Sequence, residues 1–134
     1  MMFSSRRTVG GKALCLGLII LATLSCNFVD SIFSGSEPPI DLAGVWFNPV
    51  THSETTIVWE DDEFKVVSVV DMDDGENYPV QSSDWNGTRI RWTYYVPSTD
   101  YTVTFTMESL EGDQLNCSWF NDHDRSGTRT LRRQ

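Results

Sequence analysis

Basic residues are scarce in this chain, ten Lys and Arg against 19 Asp and Glu in 134 residues, for a formal net charge of −9. Nucleic-acid binding needs clustered cations that displace counterions from phosphates, so this balance argues against a nucleic-acid partner. Cysteines number only three, too few for the disulfide framework on which many small exported domains rely. The two histidines, His52 and His123, sit in turn-rich stretches and offer no obvious general base. Ser82 and Ser83 lack a Gly-x-Ser-x-Gly context. No enzyme activity, cofactor or metal is therefore expected. Long apolar runs are missing too, which excludes a polytopic membrane protein. After residue 40 no stretch of ten or more residues has helical periodicity, so an all-β domain remains. At this length one domain is the natural count.

The amino-terminal segment differs from the rest. Arg6, Arg7 and Lys12 are its only charges, and they precede the apolar stretch 13–24. Twelve residues of helix rise only ~18 Å, against ~30 Å of bilayer hydrocarbon. A basic start, a short apolar stretch and a small residue before a break form an export signal. The break, Thr23-Leu24-Ser25-Cys26, resembles the lipobox of bacterial lipoproteins, with Thr23 where Leu is usual. The resemblance implies a signal peptide over 1–25, lipidation of Cys26 and a flexible tether over 26–40. Several acyl chains anchor a protein stably. The chain would then be held in the cell envelope, and Asn27 after the cysteine favours the periplasmic face of the outer membrane or the cell surface. Loss of the signal leaves seven basic and 19 acidic residues, a charge of −12.

From residue 41 to 134 the dominant period is two, as in strands. Ile90, Trp92, Tyr94 and Val96 share one face of a run whose other face carries Arg91, Thr93 and Tyr95. Tyr101, Val103, Phe105 and Met107 likewise oppose three threonines. Further strands are read at 44–47, 55–60, 63–70, 78–82, 114–120 and 128–133, making eight. Turn-forming residues separate them, Asn86-Gly87 being the strongest signal for a two-residue hairpin. Short connections throughout imply an up-and-down meander, which removes its edges by closing into a barrel. Cys117 falls on an apolar face, where a buried inert thiol is expected ahead of a reactive one.

The domain opens on Asp41-Leu-Ala-Gly44-Val-Trp46. A Gly-x-Trp on the first strand of such a meander resembles the lipocalins, or more broadly the calycins. That resemblance implies a barrel closed at one end by a basic residue of the last strand lying across the tryptophan. Gly44, Trp46 and Arg132 take these roles here, with Arg133 as the alternative register. The domain is shorter than typical lipocalins, so a small ligand or a filled interior is expected rather than a large lipid cavity.

Two acidic stretches invite a metal reading. Asp71-Met-Asp-Asp-Gly-Glu-Asn77 lacks the spacing and the distant bidentate Glu of an EF-hand. Asn121-Asp-His-Asp124 is too tight to enclose an ion, and a solvated turn accounts for it. Two non-catalytic functions remain. The first is binding of a small apolar or aromatic ligand in the barrel mouth, with Trp85 and Tyr95 as rim residues. The second is an acidic surface module for a basic envelope or extracellular protein, such as an inhibitor or assembly factor. Space inside the barrel favours the first, and a packed interior the second.

Overall fold

The computed structural model describes residues 35–134. The signal segment 1–25 and the lipidation site Cys26 lie outside the described residues. The strands are β1 Gly44–Asn48, β2 Ser53–Glu60, β3 Glu63–Asp71, β4 Val80–Trp85, β5 Ile90–Val96, β6 Tyr101–Glu111, β7 Gln114–Asn121 and β8 Ser126–Arg133. Every ladder is antiparallel, in the order β3-β2-β1-β8-β7-β6-β5-β4. The last strand thus pairs with the first, and the sheet curls into a nearly closed barrel. Between β3 and β4 the ladder gives way to single links. Val66 N donates to Ser83 Oγ at 2.8 Å, Tyr78 N donates to Val69 O at 2.9 Å, and Val70 bridges Asn77.

Alternation dictates what fills the barrel. On β5, Ile90, Trp92, Tyr94 and Val96 are buried while Arg91 is exposed. Their rings continue a stacked file: Trp92 lies 5.2 Å from Phe105, Phe105 6.0 Å from Tyr94, and Tyr94 5.6 Å from Tyr78. Offset stacking adds about 0.5–1.5 kcal/mol per pair to the apolar area buried. Trp46, Phe64, Ile57 and Leu115 complete a fully buried centre.

Two local expectations are corrected. The fourth strand runs from Val80 to Trp85 instead of over 78–82, so Trp85 belongs to a strand and not to a loop. Its polar centre, Gln81-Ser-Ser-Asp84, hides the alternation, and its register shifts between Val80 and Ser82. The Asn86-Gly87 connection is not a two-residue turn. Trp85 pairs with Ile90 across four loop residues, and of Asn86 and Gly87 only the glycine has positive φ, at 96°. Asn86 instead uses its side-chain oxygen to accept from the Thr88 and Arg89 amides at 2.9 and 2.7 Å. Two-residue turns stand instead at Gly112-Asp113 and at Asp61-Asp62, whose φ values of 54° and 61° suit the right-handed strand twist.

The meander sorts its connections into two ends. Loops 49–52, 72–79, 97–100 and 122–125 gather at one end. The three remaining turns, the incoming segment 41–43 and the carboxyl end gather at the other.

Candidate functional site

The end that receives residues 41–43 is plugged. Leu42 is fully buried, and its carbonyl accepts from Trp46 Nε1 at 2.9 Å. The Arg133 guanidinium lies over the Trp46 ring, 4.5 Å from its centroid. It donates through Nη1 to Ala43 O at 2.8 Å, through Nη2 to Asp41 O at 2.6 Å and through Nε to Asp113 Oδ1 at 3.2 Å. A planar cation with a fixed fork of donors does all of this at once, which an ammonium does not. Gly44 is required beside it. A Cβ there would stand 2.8 Å from Arg133 Nη1, and the backbone φ is +145°.

Arg132, expected across the tryptophan, is not there. It pairs with Phe47 on the outer face and is exposed, while Arg133 pairs with Trp46. A one-residue change of register moves every side chain of a strand to the opposite face, so this is the alternative register foreseen for the last strand.

The opposite end is open. A half-open pocket of about 440 Å³ lies there, near the lower limit of the roughly 300–1,000 Å³ typical of small-molecule sites. Four of its lining residues are aromatic, Tyr94, Tyr101, Phe105 and Trp119, the last paired with Phe105 across the ladder. Burial, with a smaller push from Tyr101 and an opposing pull from Arg129, raises the Tyr94 hydroxyl above its ordinary range. The phenol is therefore a neutral donor at physiological pH. Arg129 lies 4.9 Å over the Trp119 ring and donates to its neighbour's carbonyl, Thr128 O, at 2.8 Å. Gly127 faces Trp119 across the ladder, and the indole fills the space a side chain there would take. Trp119 Nε1 is buried with no hydrogen-bond partner among the described residues. His123 and Arg125 reach the rim from the β7–β8 loop, His123 lying 5.7 Å from the Tyr101 ring. The loop is shaped by Asn121, whose Oδ1 accepts from the amides of His123 and Arg125 at 3.1 and 3.0 Å.

Neither expected rim residue lines this pocket. Trp85 sits near the far end, its ring edge-on to Phe64 at 4.8 Å. Tyr95 points outward, and its hydroxyl donates to Asp100 Oδ1 at 2.7 Å. Sequence reasoning missed Arg125, Arg129 and Tyr101. One signal was available: Arg129 shares the inward phase of Leu131 and Arg133, an unusual place for a cation unless it faces a ligand or a ring.

Among the described residues, one acidic cluster has convergent ligand atoms, Asp71, Asp74 and Glu76, within 4.8 Å of one another. All three carboxylates already accept from the protein. Asp71 takes the Asp73 amide and the Tyr78 hydroxyl, each at 2.8 Å. Asp74 takes the Glu76 amide, and Glu76 takes the Ser98 amide, also at 2.8 Å. The hydrogen bonds donated by the Asp73 amide and the Tyr78 hydroxyl hold Asp71 below the usual carboxylate range. These groups fasten the 72–79 loop. Cys117 is buried on the inner face of β7, and burial pushes its thiol up to about 12.

No protein family, curated protein or solved structure matches this chain. The site is read from its own chemistry.

Proposed function

We propose that this chain is a non-catalytic binding protein, lipid-anchored in the cell envelope through Cys26, whose lipocalin-like barrel takes a small aromatic or apolar ligand. The observation that supports the reading most directly is the combination of ends. One is sealed by Trp46, Leu42 and Arg133, and the other opens into a 440 Å³ pocket floored by aromatic rings. A barrel filled throughout would favour the acidic surface module instead. At about 440 Å³ the pocket has room for a small compound of about two rings. Four aromatic residues, Tyr94, Tyr101, Phe105 and Trp119, would stack on the ligand, and the polar side chains that make up most of the rest of the lining would orient it.

The test is ligand-observed NMR on the full chain with two nearly isosteric two-ring probes, naphthalene-1-acetate and naphthalene-1-acetamide. Saturable binding of at least one probe, lost when Val103→Trp fills the floor, is the expected result. Absence of binding by both at millimolar concentration overturns the reading.

A further inference from the structure

Charge is distributed against the average of the molecule at the pocket. The chain has 19 acidic side chains against ten basic ones, yet no Asp or Glu lines the pocket, while Arg125, Arg129 and His123 do. Asp122 and Asp124 flank His123 in the rim loop but do not line the pocket. The ion pairs of the described residues engage Lys65, Arg89, Arg133 and the two histidines. Arg125 and Arg129 are not among them. The nearest carboxylate to the rim histidine, Asp122 Oδ1, is 3.9 Å from His123 Nε2, and both side chains are more than half exposed.

Arg129 is the more telling of the two. It is half-buried, on the inner face of a strand, and only one of its donors is engaged by a protein acceptor. A guanidinium carries five donors and is never deprotonated in a protein. Leaving it partly desolvated without a counter-charge costs free energy that an incoming anion would recover. Its position over Trp119 fixes its plane, so the donors that remain are presented to the pocket in a rigid fork. The Tyr94 hydroxyl is a further donor lining the same space. The aromatic floor supplies the complementary demand, a flat apolar body that stacks on Phe105 and Tyr101.

We propose that the ligand is a small planar aromatic anion, an aryl carboxylate or sulfonate, with its charged group held by Arg129 and its ring on the aromatic floor, Arg125 and His123 guarding the rim. This rests on the ligand-binding reading above and sharpens it from an apolar to an anionic class.

The same two probes separate the two claims, since they differ only in a carboxylate against an amide. With the full chain, naphthalene-1-acetate is expected to bind about tenfold tighter than the acetamide, the scale of one charge-assisted hydrogen bond. Arg129→Gln should abolish that preference, so that the two probes bind with equal affinity. Arg125→Gln, on an exposed loop where folding is not at stake, should reduce it and weaken its salt dependence. Equal affinity for the two probes, or an acetate preference that survives both substitutions, overturns the anionic class while the binding reading stands. Failure of both probes to bind removes the two claims together.

Discussion

Arg133 and Trp46 form one unit: the guanidinium covers the indole at 4.5 Å while its nitrogens bind two carbonyls of the incoming segment. The pair joins the last strand, the first strand and residues 41–43 through a single side chain. Arg133→Ala should destabilise the domain by about 2 kcal/mol, from lost stacking on the indole and lost charge-assisted hydrogen bonds to two carbonyls. Arg133→Lys should recover less than half of this, because an ammonium cannot both stack and fork. Arg132→Ala, exposed on the other face, should stay within about 0.5 kcal/mol of the parent. Denaturant midpoints at constant slope measure all three; equal losses for Arg132 and Arg133 would place the wrong arginine on the indole.

Gly44 depends on the same guanidinium. Gly44→Ala sets a methyl 2.8 Å from Arg133 Nη1 at a φ of +145°, and should cost about 2 kcal/mol from overpacking and backbone strain. The steric part should vanish once Arg133 is alanine, so the double variant should lose less than the two singles combined. Strict additivity in a double-mutant cycle would show that the glycine answers to backbone conformation alone.

Cys117 should be silent in the native protein. With its thiol pushed up to about 12 by burial, almost no thiolate exists at pH 8, and thiolate is the reacting species. A disulfide reagent should label it only through opening of the barrel, and stoichiometrically in denaturant. The sign of the linkage follows. A folded-state value raised above the unfolded one gives stability that is complete below about 9 and lost as pH rises toward 12. Cys117→Ala should therefore flatten the alkaline limb of the stability profile; fast labelling at pH 8 would contradict the burial.

Asp71 works in the opposite direction. Its folded-state value is depressed by the Asp73 amide and the Tyr78 hydroxyl, so it stabilises the fold above about pH 4. That contribution disappears as pH falls through the lower folded-state value. Asp71→Asn should be less stable than the parent at neutral pH, and the gap should close in acid. Urea titrations between pH 2 and 7 follow it, and a gap independent of pH would assign the loss to packing.

The strands most legible in the sequence were those whose two faces differ in chemistry. Ile90 to Val96 alternates apolar and polar without interruption, and its burial follows the same beat. Gln81-Ser-Ser-Asp84 offers no contrast between faces, which is why the sequence pattern points to 78–82 and leaves Trp85 outside the strand. Asn86 shows a different blind spot. Its composition fits a tight turn, but its side-chain oxygen serves better as an acceptor for two loop amides. The plugged end could be anticipated to within one residue, since local pattern places two adjacent arginines on β8 and only the pairing with β1 decides between them. The pocket was less legible, because its residues come from β5 to β8, the loops between them, the end of β1 and the loop after it. What brings Tyr94, Trp119 and Arg129 together is barrel closure, and no local spacing records that.

The β3–β4 seam and the chain ends fall at different places around the barrel. The break in covalent continuity lies between β8 and β1, where the strands are ladder-paired and Gln134 N donates to Val45 O at 3.0 Å. The break in hydrogen bonding lies between β3 and β4, where the chain runs on through the 72–79 loop and its carboxylate fasteners. Had the two coincided, two strands would have been both unpaired at an edge and free at an end, the arrangement most prone to fraying and to edge-to-edge association. Each weak point of the cylinder is instead bridged by the kind of continuity the other lacks.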